Sequence, residues 1–75
     1  METRYGFSYE QFQLPMMSDP SRNSCAHIAI CNERKIVAVR NSNDAWETGS
    51  IVQFDFNEWD ALCKSINAGQ YQVNA

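Results

Sequence analysis

The sequence predicts an α+β fold: a small antiparallel β-sheet of three to four strands, connected as a meander and packed against one C-terminal helix. Two alternating apolar runs separated by a few polar residues predict a hairpin, because a parallel crossover needs a dozen or more residues. A third short run leads straight into a segment whose apolar residues recur at three- and four-residue spacing, the mark of an amphipathic helix.

Taken in order, Tyr5, Phe7 and Tyr9 alternate at period two and predict a half-buried strand, weakened by Gly6. Residues 10–14 fit either its continuation or a short helical turn ended by Pro15. Residues 15–24 hold both prolines and read as a loop joining an N-terminal arm to the main body. The domain reading is therefore an arm and loop over 1–23, available to the sheet or to a dimer contact, and one α+β domain over 24–75.

From Cys25 to Cys31, Ala26, Ile28 and Ile30 share one face, and Cys25, His27, Ala29 and Cys31 the other. Asn32, Glu33 and Arg34 make a polar turn. Lys35 to Asn41 supplies a second strand, with Ile36, Ala38 and Arg40 opposed to Val37 and Val39. Residues 42–49 form a longer connection, and residues 50–54 a third strand.

The helix start carries its own physics. Asp55 fits the N-cap, where its carboxylate accepts from an orphan N–H, and Glu58 reaches back to the Asp55 amide as in a capping box. Phe54 precedes the cap and Trp59 occupies the fourth helical position, the spacing of a hydrophobic staple. Trp59, Leu62 and Ile66, with Phe56 and Cys63, form the apolar stripe, and Trp59 is expected in the core. Asn67 and Gly69 offer a stop. Tyr71, Gln72 and Val73 are candidates for an edge strand.

With 75 residues, the chain is one domain at most. A domain this small buries only about 60% of its unfolded surface, so association often supplies the remaining stability. The net charge of −3 argues against direct nucleic-acid binding through a broad basic face. Residues 25–41 carry a local balance of +2 and residues 42–75 one of −4, which suits a basic protein partner. No run resembles a membrane span or a signal peptide, so a cytoplasmic protein is expected. Three cysteines without framework spacing read as reduced thiols.

In order along the chain stand Ser24 and Cys25, the strand through Ile28 and Ala29, then Val37, Val39, Arg40 and Ser42. They are followed by Gly49, Val52, Phe54, Glu58, Trp59 and Ala61, and finally by Gly69 and Tyr71. This succession, over roughly two thirds of the chain from residue 24 to 71, resembles the small, mostly actinobacterial proteins of the domain of unknown function 397 family. The resemblance implies a small antiparallel sheet with a C-terminal helix. It also implies a partner, a helix-turn-helix regulator encoded alongside, and for some such pairs a toxin–antitoxin module. His27, Asn41, Asn43, Asp55 and Gln70 depart from the family pattern; Asp55 for threonine preserves the cap.

Candidate sites are few. Cys25, His27, Cys31 and Cys63 have the donor chemistry of a Cys3His zinc site, but they lack the close Cys-x-x-Cys spacing of structural zinc knuckles. No metal or cofactor is expected. Cys25 and His27, about 7 Å apart by strand rise, are too distant for direct proton transfer, and no catalytic constellation is recognisable. Arg40, Ser42 and Asn43 stand where a strand enters the long loop, suited to an acidic or phosphate group or to pairing with Asp44, Glu47 or Asp60. Trp46, among polar residues that include Glu47, is a partner anchor if the loop leaves it exposed and a sheet cap if the loop folds back.

These features favour a non-enzymatic regulatory module that binds a helix-turn-helix regulator and modulates its DNA binding. The alternatives are a toxin of a two-gene module and a homo-oligomeric structural domain completed by the apolar arm.

Overall fold

The computed structural model describes residues 1–19, 21 and 24–74. Its centre is a three-stranded antiparallel meander of β1 (Ala26–Cys31), β2 (Ile36–Asn41) and β3 (Ile51–Asp55), with β2 in the middle. The four-residue turn 32–35, in which Lys35 takes a left-handed φ of 55°, pairs Cys31 with Ile36. That register sets His27 opposite Arg40 and Ala29 opposite Ala38. β3 continues the ladder, with Val37 opposite Phe54 and Val39 opposite Val52.

The α-helix of the described residues, α1 (Phe56–Asn67), begins as its sequence requires. The Asp55 carboxylate accepts from the Glu58 N–H at 2.7 Å, and the Glu58 carboxylate accepts from the Asp55 N–H at 2.9 Å. The Phe54 and Trp59 rings stand 6.3 Å apart, which is the staple. At the other end Gly69 adopts φ 87°. Its N–H bonds the Ile66 carbonyl and the Gln70 N–H bonds the Ser65 carbonyl, a Schellman closure.

The two sheet faces are covered unequally. α1 lies over β3 and β2 and does not reach β1. Beneath it Val37 is wholly buried, yet no residue of the helix itself is buried. Trp59 and Leu62 are half-buried and Ile66 is 56% exposed. The expectation that Trp59 is a core residue is thus corrected: one short helix crossing the open side of a small sheet has nothing on its far flank.

The opposite face carries the main core, and the N-terminal arm builds it. Phe7, Phe12, Ala29, Ala38 and Trp46 form one buried cluster, with Cys31, Ile36 and Ile51 packed against it. The strand expected from the Tyr5–Phe7–Tyr9 alternation is not formed. Tyr5 (φ 51°) and Gly6 (φ 79°) instead make a two-residue turn closed by reciprocal Arg4–Phe7 backbone bonds of 2.8 and 2.9 Å. Gly6 also faces the Arg34 guanidinium so closely that a Cβ there would lie 2.9 Å from it. A 3-10 turn at Tyr9–Gln11 follows; it overlaps the helical turn expected over 10–14 but ends at the extended Phe12 and not at Pro15. Gln13 then exchanges both backbone bonds with Ile28, at 2.8 and 2.9 Å, on the outer edge of β1. Residues 71–73 are turn and coil rather than an edge strand. The loop expected over 15–24 falls partly outside the described residues.

Candidate functional site

Arg40 is the residue around which the sequence candidates gather, but they gather inside the protein. It projects from the central strand onto the arm-covered face and is only 4% exposed. Its Cζ lies 5.4 Å from the Trp46 ring centroid, 5.7 Å from Tyr9 and 5.9 Å from Phe12. Three aromatic faces thus take the place of water around a guanidinium, an arrangement favoured by the negative faces of the rings. Nη1 lies 2.7 Å from His27 Nδ1, and Nη2 donates to the Asp44 backbone carbonyl at 2.6 Å. Nε has no partner. Among the described residues no carboxylate comes within ion-pair distance of Arg40; the pair that does form, Asp60 with Lys64 at 2.8 Å, is exposed on α1. The expected pairing of Arg40 with Asp44, Glu47 or Asp60 side chains is corrected accordingly: β2 is the middle strand, and its side chain is under the arm.

Trp46 is 4% exposed. The loop folds back, its indole N–H donates to the Glu2 carbonyl at 2.8 Å, and its ring meets Tyr9 and Phe12 edge-on at 5.6 Å. The Arg4 guanidinium locks this arrangement by donating to the Trp46 and Gly49 carbonyls at 2.6 and 2.7 Å. Trp46 and Arg40 therefore cannot act as surface anchors in this conformation. Ser42 and Asn43 close the loop: Ser42 Oγ accepts from the Cys25 N–H at 3.0 Å, and the Asn43 N–H donates to Asn41 Oδ1 at 2.9 Å. Of the partner candidates, Asn43 and Glu47 remain exposed.

The His27 ring, itself buried, packs against Phe12 and Tyr9 at 5.4 and 5.6 Å. Burial, reinforced by the Arg40 charge, holds its pKa below the ordinary 6.5, opposed by a bond to the Phe12 backbone. Such a ring, already bonded to a guanidinium, is poorly placed to ligate a metal or to serve a thiol as base. Cys63 is exposed on α1, where it lines a groove with Ile30 and Val37 on the face opposite His27. The four weak metal candidates are thus divided between the two sides of the sheet. Among the described residues no group of three or more His, Cys, Asp or Glu is placed to hold a metal ion. The three cysteines are free thiols. The Cys31 thiol is drawn below its ordinary pKa chiefly by the Arg34 backbone N–H.

The open surface lies on the other face. A groove of about 390 Å³ runs between α1 and β1, lined by Ile30, Val37, Phe56, Trp59, Asp60 and Cys63. Ile30, 50% exposed, also borders a second depression of about 300 Å³ beside Leu14 and Pro15. The alternation of β1 puts Ile28 and Ile30 together on one face, and the sequence expects the helix to cover one sheet face without saying which. The His27–Arg40 contact was likewise missed, although a four-residue turn pairing Cys31 with Ile36 fixes it by counting.

Among the described residues no helix is long and apolar enough to cross a membrane. Comparison with protein-family models, with curated proteins and with solved structures yields no match.

Proposed function

We propose that this protein is a non-enzymatic regulatory module of the cytoplasm that binds a helix-turn-helix transcriptional regulator and modulates its DNA binding. The observation that carries the reading is the incompletely covered helix face: α1 buries none of its residues, and Ile30, Trp59 and Ile66 leave apolar surface beside it. Surface of this kind, rimmed by polar groups, is characteristic of protein contacts. Charge favours a basic occupant, since residues 55–67 carry Asp55, Glu58 and Asp60 against Lys64. A DNA-binding regulator presents such a basic surface, and an acidic face competes with phosphates for it or steers the encounter. The choice of a helix-turn-helix partner rests on the sequence resemblance to the domain of unknown function 397 family.

The test is co-purification with a helix-turn-helix regulator encoded beside the gene, together with operator binding measured with and without this protein. The expected result is a complex, weakened by Ile30→Lys and Ile66→Lys, and a shift in operator affinity. Absence of a complex together with unchanged operator binding would overturn the reading.

A further inference from the structure

The two edges of the sheet are finished differently. On β1, Ile28 gives its N–H and C=O to Gln13, so the arm pairs with the middle of that edge at this one residue. Because backbone direction alternates along an antiparallel ladder, the outward Ile28 turns Arg40, Ala38 and Ile36 toward β1, and Val37 and Val39 toward β3. Val52 and Phe54 are therefore bonded inward to β2. Ile51, Gln53 and Asp55 turn their amides and carbonyls to the outer edge.

That edge is delimited at both ends. The Asp55 N–H is held by the Glu58 carboxylate, and its carbonyl, as that of an N-cap, opens the helical ladder. The Gly49 N–H bonds the Ala45 carbonyl at 2.8 Å, and its own carbonyl takes the Arg4 guanidinium. On the outer edge between these ends, Ile51 and Gln53 leave an N–H and a C=O each, and among the described residues no backbone bond reaches them.

We infer that β3 pairs with β3 of a second copy, antiparallel, about a two-fold axis at Val52. In this register Ile51 faces Gln53 of the other copy, and Gln53 faces Ile51, so all four free groups of each edge are satisfied. Centring the pair on Gln53 sets Ile51 against the spent Asp55, and centring it on Ile51 sets Gln53 against the spent Gly49. Val52 then meets its own copy in a non-hydrogen-bonded pair, the closer of the two antiparallel kinds. Its side chain, 53% exposed in the single chain, becomes covered.

The segment from Ser50 to Phe54 carries no charge and no proline, although exposed edges normally carry such guards. The nearest acids, the two Asp55 side chains, fall at opposite ends of the pair, about 20 Å apart. A patch complementary to itself about a dyad is what an isologous dimer requires. An unrelated strand gains the same backbone bonds but no matching side chain. This inference stands apart from the regulator-binding proposal.

Sedimentation of the full chain over a wide concentration range tests it. The expected mass rises from 8.6 kDa toward twice that value. Gln53→Pro removes the outward N–H while leaving the β2–β3 ladder intact, and Val52→Lys sets two like charges on the dyad. Each is expected to weaken self-association on the order of tenfold or more, with a cooperative thermal transition retained. If Gln53→Pro fails to fold, Val52→Lys, at an exposed side chain, decides. In a Cys63→Ser background, Val52→Cys is expected to cross-link two copies on mild oxidation. A protein that sediments as a monomer throughout, or a dimer indifferent to Val52→Lys, overturns the inference.

Discussion

Arg40 Nη1 and His27 Nδ1 lie 2.7 Å apart inside the protein. A guanidinium nitrogen only donates, so Nδ1 must accept and the imidazole must be neutral. Protonation of His27 would break this bond and set two cations side by side, with no carboxylate of the described residues within ion-pair distance of Arg40. The folded state therefore holds the His27 pKa below its unfolded value of 6.5. Between those two values the unfolded chain binds the extra proton, so stability is full above pH 6.5 and falls as pH drops toward the folded pKa. Urea unfolding across this window should show the decline, and His27→Gln should flatten it. An unchanged slope in the variant would separate the decline from His27.

The two tryptophans should differ in the order opposite to their sequence signals. Trp46→Ala empties a site enclosed by Tyr9, Phe12 and Arg40 and frees the Glu2 carbonyl. Its expected cost is about 3–5 kcal/mol. Trp59 is half-buried, and Trp59→Ala is expected to cost roughly 1–2 kcal/mol in the isolated chain. Chemical denaturation of both variants, with equal losses or the reverse order, would refute this account of the core.

The arm should be indispensable to folding. Phe7 is wholly buried, Phe12 nearly so, and Arg4 and Glu2 bond the loop that carries Trp46. Phe7→Ala is expected to cost about 3–5 kcal/mol, comparable with the whole stability of a domain of this size. Deletion of residues 1–13 uncovers Arg40 as well, and should abolish the cooperative thermal transition seen by circular dichroism. A deletion variant that still unfolds cooperatively would contradict the prediction.

At the helix start, Asp55→Ala should cost about 1 kcal/mol and Asp55→Thr only a few tenths. Both bonds of the capping box are exposed, so the difference reads the cap rather than packing. An Asp55→Ala midpoint equal to that of the unsubstituted chain would show that the Asp55 carboxylate contributes nothing.

What was legible in the sequence divides along a physical line. The paired strands, the β3–α1 junction, the staple and the Gly69 stop depend on residues close together in the chain, and each was readable from spacing and residue type. The Tyr5–Phe7–Tyr9 alternation misled because a short aromatic run around a glycine satisfies strand periodicity and a tight turn alike, and the Arg34 side chain against Gly6 comes from the far hairpin. Trp46 was undecided because the groups that bury it, Glu2, Tyr9 and Phe12, lie more than thirty residues away in sequence.

By itself, then, the sequence determined a meander of three to four strands and a capped helix after it, because hydrophobic period, turn length and capping are local properties. Only the tertiary structure decided which face of the sheet became the core. The arm covers the Arg40 face with three aromatic rings, Phe7, Tyr9 and Phe12, while one short helix half-covers the other. That choice sums burial over distant segments. It draws Arg40, His27 and Trp46 into the interior and leaves Ile30, Val52 and Ile66 at the surface.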